Sequence, residues 1–379
     1  MAASKRRRHR GSFGGGGAAA GLRTGLTSGS CAAIRTILRV PAAPSYELPE
    51  RAIAQVPAEP RDAARLLVDR GPGHAPEHLT VRDLPRLLRA GDVMVLNETR
   101  VLPARLRLTK PTGGAVEVLL LEPEEGERTW SALVRPGRRV PPGTVLVAGE
   151  DLAVEIGARL DGGRRRVRLV APEVTAALER HGVLPLPPYI HETLADPSRY
   201  QTVYATRPGS VAAPTAGLHL TPAVLAGCEK AGATIVRLDL SVGLGTFRPV
   251  TAARIEDHEV HEEPYAVPAA TMEACKAARR EGRRVIAVGT TTVRALETAA
   301  ATGMLRGRSR LLIHGDHRWR VVDALVTNFH LPSSTLLLLV ESFIGPRWRG
   351  LYDAALAEGY RFLSFGDAMF LERKVREKS

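Results

Sequence analysis

The pattern of hydrophobic and polar residues divides the chain into a middle part and two flanking parts. Between residues 99 and 171, short apolar runs alternate with turn-forming clusters at a spacing of roughly 8–12 residues, which is typical of an all-β sandwich or barrel. Glycine and proline form the separators, as at residues 111–114 and 161–163. We predict six barrel strands, at 100–109, 115–122, 129–135, 143–148, 151–160 and 164–171.

The flanking parts alternate strands with helices, a pattern that is typical of an α/β sheet. Their helices carry the usual end signals, such as Thr221 as an N-cap before Pro222, and Gly282 directly after a helix. The predicted strands are 64–69, 93–97, 234–242, 284–288, 320–327 and 361–365. The predicted helices are 83–88, 222–231, 268–281, 292–302 and 334–343.

These elements predict an α/β protein in which a mixed α/β main domain carries an inserted domain. The main domain comprises residues 45–98 and 174–379, and the insertion, residues 99–173, is a small six-stranded β-barrel domain. Residues 1–44 are basic, glycine-rich and without periodicity. We expect this tail to be disordered, because it cannot bury enough apolar surface to offset the entropy lost on ordering.

Charge and cysteine content narrow the classes of protein. The net charge is +13, but eight basic residues and no acidic ones lie in residues 1–44, so the rest of the chain carries about +5. That charge permits a polyanionic partner without requiring one. The three cysteines, Cys31, Cys228 and Cys275, form no CxxC pair, so we expect neither a disulfide framework nor a zinc site. Their spacing is compatible with a protein of the reducing cytosol. No apolar run approaches the roughly 20 residues of a membrane span.

Polar residues follow the predicted strand 284–288, where a small turn leads into a helix. Gly289 allows close approach of a ligand, and Thr290 and Thr291 place hydroxyls and backbone N–H groups at the helix N-terminus, which favours an anion. Arg294 and Glu297 lie one helical turn apart and could face a ligand or pair with each other. A threonine-capped helix with a surface ion pair explains these residues equally well.

Two further segments carry candidate chemistry. The strand that ends near Thr327 is followed by Asn328 and His330, which supply donors, an acceptor and a titratable group near neutral pH. His219 ends a loop of small residues, 208–219, that could lie against a ligand. The alternatives are a polar loop with a structural histidine and a tight packing loop.

Two motif-like segments do not fit the sites that they suggest. The glycines of residues 242–249 lack the third glycine of GxGxxG and lead into no helix, so a dinucleotide site is not expected. The histidines of His258-Glu-Val-His261 are one residue closer than in HExxH, so they do not share a helical face as zinc ligands do. We expect no metal.

The predicted barrel and its entry strand carry candidates for phosphate contacts. These residues are Asn97, Arg100, Arg105 and Arg135. Charged barrel exteriors are common, so alone these residues are a weak indication of RNA binding.

A series of short motifs runs in order through about residues 45–372. They include Val95-Leu-Asn-Glu-Thr-Arg-Val-Leu-Pro-Ala-Arg105, Pro185-Leu-Pro-Pro-Tyr189, Arg199-Tyr-Gln-Thr-Val-Tyr-Ala205, 208–219, Gly245-Thr-Phe247, 258–265, Val288-Gly-Thr-Thr-Thr-Val-Arg294, 321–335 and Phe365-Gly-Asp-Ala-Met369. In this series the chain resembles the S-adenosylmethionine:tRNA ribosyltransferase-isomerase family of queuosine biosynthesis. Ser241 stands where the family suggests His, Leu244 where it suggests Ala, and Leu220 where it suggests Phe.

The resemblance implies a cytoplasmic enzyme that moves the ribosyl moiety of S-adenosylmethionine onto tRNA. The acceptor would be the 7-aminomethyl-7-deazaguanine base at the anticodon wobble position. The products would be epoxyqueuosine in tRNA, adenine and methionine. S-adenosylmethionine would be a consumed co-substrate, and no further cofactor, metal or membrane is implied.

The same resemblance supports roles for the strand-end residues. A general base could remove an acidified ribose 5′ hydrogen, and a donor could assist the departing adenine. We expect His330 and His219 to be the acid/base groups, with Glu297 in reserve. The residues expected to hold S-adenosylmethionine are Gly289, Thr290, Thr291, Arg294, Thr327 and Asn328.

Two other functions are compatible with parts of the sequence. A non-catalytic RNA-binding module would use the basic barrel, but it leaves the strand-end polar loops without a purpose, and 4% aromatic residues offer few stacking surfaces. An ordinary methyltransferase would usually have a glycine-rich first strand–helix turn, which we do not find in the sequence.

Overall fold

Eighteen strands and six α-helices form the regular structure of the residues that the computed structural model describes, which are 43–243, 254–258 and 260–373. The strands are β1 Arg65–Asp69, β2 Glu77–Thr80, β3 Val93–Asn97, β4 Thr99–Val101, β5 Arg105–Thr109, β6 Ala115–Glu125, β7 Thr129–Arg135, β8 Val145–Ala148, β9 Leu152–Arg159, β10 Arg165–Val170, β11 Gly182–Val183, β12 Arg207–Ser210, β13 Thr234–Leu240, β14 Glu263–Ala266, β15 Val285–Val288, β16 Arg306–Ser309, β17 Ala324–Asn328 and β18 Ala368–Glu372. The helices are α1 Val174–His181, α2 Pro222–Lys230, α3 Ala269–Arg280, α4 Thr290–Thr302, α5 Thr335–Ile344 and α6 Arg347–Ala357.

The main sheet has nine strands in the order β16-β14-β13-β3-β15-β17-β18-β1-β2. Its centre, β13-β3-β15-β17, is parallel throughout. These four strands therefore end at the same edge of the sheet, at Leu240, Asn97, Val288 and Asn328. Ligands of open α/β sheets bind beyond this edge.

Alternate residues of the central strands pack on opposite faces of the main sheet. Val95 and Ala287 belong to the core under helices α3 to α6, whereas Met94 and Ile286 belong to the core on the side of α2. Such strands are buried on both faces, and their sequences are accordingly continuous apolar runs. This packing fixes the strand ends that carry the polar residues.

A second sheet closes into a six-stranded antiparallel barrel. Its order is β5-β6-β7-β10-β9-β8, and pairing of Thr109 with Val147 joins β8 back to β5. The short strand β11 pairs antiparallel with the first residues of β5. Residues that point inward are buried, such as Val118, Val154 and Val167. The predicted fold class, a mixed α/β protein with a six-stranded barrel, is confirmed. The domain boundaries at residues 99 and 173 stay a prediction.

The structure corrects two predicted strands. The predicted strand 100–109 is interrupted after Val101, and its first part, β4, pairs with β12 rather than with the barrel. The predicted strand 361–365 is a turn, because Phe362 makes only an isolated bridge with Ile53 and Leu363 has a positive φ of 69°. The last strand is β18, which lies between β17 and β1.

The predicted disordered tail lies outside the described residues, except for its last two positions. Pro44 is among the described residues, and its carbonyl accepts a hydrogen bond of 3.0 Å from the Ser333 backbone N–H. Pro44, the last residue of the predicted tail, is therefore bonded to the fold. Among the described residues, no helix has the length and apolar character needed to cross a membrane.

Candidate active site

A cavity of about 290 Å³ lies beyond the carboxyl ends of β15 and β17. Its volume is close to the lower limit of typical small-molecule sites, about 300 Å³. The wall comes from six separate segments of the chain. They contribute Tyr189, Ala213–Ala216, Gly289–Thr291, Thr327–Leu331 and Leu363–Ser364, together with Val242, Pro332, Ser334 and Leu336.

One wall of the cavity is the N-terminus of α4. Gly289 precedes the helix with a φ of 90°, a conformation that favours glycine, and its N–H donates to Val326 O at 2.8 Å. A glycine has no side chain to cap the first turn, so the first backbone N–H groups of the helix are available to an anion in the cavity. Thr290 and Thr291 line the cavity at this point.

Thr291 is held in place by a residue that was predicted to contact RNA. The Asn97 side-chain N–H donates to Thr291 Oγ1 at 3.2 Å and to Leu240 O at 3.0 Å. Asn97 Oδ1 accepts from the backbone N–H groups of Leu240 and Thr99. Asn97 is completely buried, so the structure places it behind the cavity wall and not on a surface that RNA could reach.

The opposite wall contains a buried histidine. His330 Nε2 lies 3.0 Å from Thr327 Oγ1, and the His330 backbone is tied by an N–H bond to Tyr352 and by the Tyr46 hydroxyl, which donates to His330 O at 2.6 Å. Among the described residues, His330 Nδ1 has no hydrogen-bond partner. Burial lowers the pKa of His330 to about 3, so the imidazole is neutral in the free protein.

Asn328 joins this wall to two other segments. Its Nδ2 donates to Leu363 O at 3.1 Å, and the Thr215 hydroxyl donates to its Oδ1 at 2.9 Å. Leu363 has a positive φ of 69°, a strained conformation for a branched side chain. Asn328 therefore stabilises a turn that places Ser364 in the cavity wall.

His219 lies outside the residues that line the cavity. Its Nδ1 lies 3.2 Å from Ala216 O and its Nε2 lies 2.7 Å from Gly366 O, so both ring nitrogens face backbone carbonyls. Burial lowers the pKa of His219 and outweighs these hydrogen bonds, which act in the opposite direction. Its visible function is to connect the 215–219 segment to the turn before β18.

Arg294 faces away from the cavity, toward a much smaller neighbouring space. Its guanidinium pairs with the buried Glu263 and donates from Nε to Leu311 O at 3.1 Å. Glu263 also accepts from the Gly243 backbone N–H at 3.2 Å. The charge of Arg294 is therefore compensated within the protein.

Glu297 is also removed from the cavity. It is fully buried and accepts hydrogen bonds of 2.8 to 3.0 Å from the backbone N–H groups of Arg320, Val321 and Val322. Burial acts to raise the pKa of this carboxyl, but the nearby His317, 3.8 Å away, and the hydrogen bonds from the three amides outweigh it, and the pKa is lowered. Glu297 thus anchors α4 to the segment that leads into β17.

Two of the predicted phosphate-contacting arginines share a groove. Arg105 and Arg135 line a space of about 1080 Å³ between the barrel strands and the segment 182–194. Arg107 lines the same groove. Arg100 is exposed near this region, with its guanidinium 3.6 Å from Glu179, and Glu179 also lines the groove.

Sequence reasoning missed three polar side chains of the cavity wall, Tyr189, Ser364 and Thr215. Tyr189 Oη lies 2.7 Å from Ser364 Oγ, and burial raises the pKa of the Tyr189 phenol to about 12. The available signal was the position of Tyr189 at the end of Pro185-Leu-Pro-Pro-Tyr189. The motif residues Gly245-Thr-Phe247 lie outside the described residues.

A metal site would need several His, Cys, Asp or Glu side chains close together. Among residues 43–243, 254–258 and 260–373, no three His, Cys, Asp or Glu side chains are placed to hold a metal ion together.

The sequence matches a known protein family over nearly all of the residues that the structure describes. The family model for "Queuosine biosynthesis protein" matches residues 43–371. A protein from Rubrobacter xylanophilus is 54% identical over 329 residues, which are 86% of this chain and 96% of that protein. A protein from Thermus thermophilus is 51% identical over 341 residues, 86% of this chain and 97% of its own length. Both are named S-adenosylmethionine:tRNA ribosyltransferase-isomerase.

The fold is similar to that of a solved structure. The crystal structure of S-adenosylmethionine tRNA ribosyltransferase from Thermotoga maritima matches with a TM-score of 0.50 and 37% sequence identity. The match covers 86% of this chain and 99% of that one.

Proposed function

The chain belongs to the S-adenosylmethionine:tRNA ribosyltransferase-isomerase family of queuosine biosynthesis, and we propose that its cavity beyond β15 and β17 binds S-adenosylmethionine. The observation that carries this proposal is the meeting of a helix N-terminus and a buried neutral histidine in one cavity. The enzyme acts on S-adenosylmethionine and tRNA. The acceptor that we propose is 7-aminomethyl-7-deazaguanine at the wobble position.

In the proposed reaction, the acceptor amine takes the ribosyl carbons of S-adenosylmethionine. The bond between the ribosyl group and sulfur breaks and releases methionine, and the glycosidic bond breaks and releases adenine. The ribosyl unit becomes the epoxide-bearing ring of epoxyqueuosine. A donor to the departing adenine and a group that accepts a ribose hydrogen are the two requirements for protein side chains.

The α4 N-terminus supplies the site for the methionine carboxylate. Backbone N–H groups and the positive end of the helix dipole stabilise an anion there. Thr290 and Thr291 add hydroxyl groups, and Asn97 fixes the position of Thr291. We no longer expect Arg294 to meet the carboxylate, because Glu263 and backbone carbonyls already bind its guanidinium.

His330 is the acid/base group that the geometry favours. It lines the cavity, its Nε2 contacts Thr327, and burial keeps it neutral, so one ring nitrogen carries a proton and the other a lone pair. The Thr327 hydroxyl can donate or accept, so it accommodates either tautomer of the His330 ring. We do not propose His219 or Glu297 as acid/base groups, since neither lines the cavity.

The groove beside the barrel is the proposed tRNA surface. Arg105 and Arg135 would contact phosphates, with Arg100 beside them, and these contacts position the RNA without reading its sequence. Asn97 is not part of this surface, because it is buried behind the cavity.

Analysis of the reaction products tests the proposed function directly. The protein is incubated with S-adenosylmethionine and tRNA that carries the 7-aminomethyl-7-deazaguanine base, and nucleosides and small molecules are measured by mass spectrometry. We expect epoxyqueuosine in tRNA, with adenine and methionine in equal amounts. Release of S-adenosylhomocysteine would indicate a methyltransferase, and tight binding of tRNA without any product would indicate the non-catalytic alternative.

A further inference from the structure

The segment 188–190 lies between the cavity and the groove and contributes side chains to both. Tyr189 lines the cavity, whereas its neighbours Pro188 and Ile190 line the groove on the barrel side. Successive residues of one short segment therefore face two different spaces. Tyr189 therefore lies at the boundary between the two spaces.

Contacts at its backbone and at its hydroxyl hold Tyr189 in place. Gln55 binds the backbone on both sides of the residue, since its Nε2 donates to Tyr189 O at 2.9 Å and its Oε1 accepts from the His191 N–H at 2.9 Å. Ser364 Oγ lies 2.7 Å from the phenol oxygen. A side chain that is fixed at both its backbone and its tip loses little further entropy when a ligand binds against it.

The contact with Ser364 depends on strained backbone. Ser364 follows Leu363, whose φ of 69° is costly for a leucine, and the Asn328 side chain donates to the Leu363 carbonyl at 3.1 Å. Strain of this kind persists only where surrounding contacts impose it, and it concentrates at functional sites. The consequence here is a serine hydroxyl positioned against the phenol of Tyr189.

We propose that Tyr189 is the platform on which the acceptor nucleobase of tRNA packs during transfer, and that Gln55 and Ser364 are positioning residues for it. The inference rests on the proposed function and assigns the acceptor side of the same site. An aromatic face accepts the flat face of a base, and an unpaired anticodon base can leave its stack at low cost. A neutral phenol suits this contact, because it adds no charge beside the cationic sulfonium.

Substitutions of Tyr189 and Ser364 test the proposal, with S-adenosylmethionine saturating and precursor tRNA varied. Tyr189→Leu removes the aromatic face, and we expect kcat/KM for tRNA to fall about 10- to 100-fold. Tyr189→Phe keeps the ring but loses its hydrogen bond to Ser364, and we expect kcat/KM for tRNA to fall by about threefold. Ser364→Ala breaks the same hydrogen bond, and it should give the same fall. The Kd for S-adenosylmethionine, measured by calorimetry, should stay nearly constant in all three.

A matched control removes a tyrosine hydroxyl elsewhere. Tyr265 lies on β14 and does not line the cavity, and Tyr265→Phe deletes its hydrogen bond to Met304 O. The kinetic constants for both substrates should stay unchanged. The proposal is overturned if Tyr189→Leu leaves kcat/KM for tRNA unchanged, or if it weakens S-adenosylmethionine binding by the same factor. If Tyr189→Leu does not fold, unchanged tRNA kinetics in Ser364→Ala overturn it instead. If the wild-type protein has no transferase activity, the proposed function itself is refuted. Failure of the Tyr189 proposal can therefore be distinguished from failure of the proposed function.

Discussion

At the residue scale, the state of His330 depends on burial more than on its residue type. A histidine at a strand end suggests a group that titrates near neutral pH. The structure surrounds this one with protein, and burial lowers its pKa to about 3. His330 therefore acts as a neutral imidazole, and its ionisation is not expected to appear in a pH–rate profile of the free enzyme between about pH 5 and 8.

The lowered pKa also predicts the response of stability to acid. Between pH 6.5 and about 3, the unfolded chain binds a proton at His330 and the folded protein does not, so the free energy of unfolding falls as pH falls. We expect His330→Gln to reduce this slope by up to about 1.4 kcal/mol per pH unit. Chemical denaturation at several pH values measures it.

Residue spacing predicted the location of some site residues but not of others. Gly289, Thr290, Thr291, Thr327, Asn328 and His330 come together in the cavity because they directly follow parallel neighbouring strands. Arg294 and Glu297 are one helical turn apart, but spacing does not reveal which side of α4 faces the cavity. Their partners, Glu263 and the amides of 320–322, are distant in sequence, so only the fold could identify them.

At the element scale, the α4 N-terminus is the feature on which the proposed binding of the methionine carboxylate rests. Helix prediction placed its start at residue 292, two residues late, because three threonines resemble a cap more than a first turn. The structure starts the helix at Thr290, directly against the cavity. The first-turn amides therefore belong to the cavity wall.

Substitution of Gly289 tests this element. The φ of 90° is strained for any side chain, so Gly289→Ala should destabilise the fold by about 1–3 kcal/mol and displace the first-turn amides. We expect a rise of at least tenfold in the Kd for S-adenosylmethionine. Gly282→Ala is a matched control, since Gly282 also has a positive φ, 71°, but lies after α3. Both should lower the melting temperature, and equal Kd values in the two variants would contradict the assignment.

The element pattern also shows where apolar runs mislead. Residues 361–365 have the composition of a strand but form the turn that carries Leu363 and Ser364. The sheet position next to β17 is taken by β18, whose apolar run Ala368–Phe370 has equal strand character. The turn is stabilised by Asn328, a contact between distant residues that local sequence cannot indicate.

At the scale of the whole molecule, the barrel contributes Arg105, Arg107 and Arg135 to the groove. If Arg105 and Arg135 contact phosphates, each change to Ala should raise the KM for tRNA and reduce the slope of log K against log salt by about 1. The KM for S-adenosylmethionine should not change. Arg159→Ala is the control, because Arg159 is exposed on β9 and does not line the groove. Equal effects of all three substitutions would mean that only net charge matters.

The N-terminal tail should be dispensable up to the residues that contact the fold. Its composition offers no packing face, and the family match begins at residue 43. Deletion of residues 1–42 should leave melting temperature and turnover within error of the full chain. Deletion of residues 1–46 should lower both, because it removes the Pro44 bond to Ser333 and the Tyr46 bond to His330. Loss of activity in the shorter deletion would assign a function to the tail.

We propose that the cavity carries out ribosyl transfer from S-adenosylmethionine with His330 as the acid/base group. A single-turnover assay tests it most directly, with S-adenosylmethionine labelled in its ribosyl carbons, precursor tRNA, and wild-type protein beside His330→Ala. We expect wild type to transfer the label to the tRNA base and to release unlabelled methionine. His330→Ala should bind S-adenosylmethionine with nearly the same Kd in calorimetry and transfer the label about 10²–10⁴-fold more slowly. Transfer at the wild-type rate by a folded His330→Ala protein, or label that remains on S-adenosylmethionine with wild type, would contradict the account.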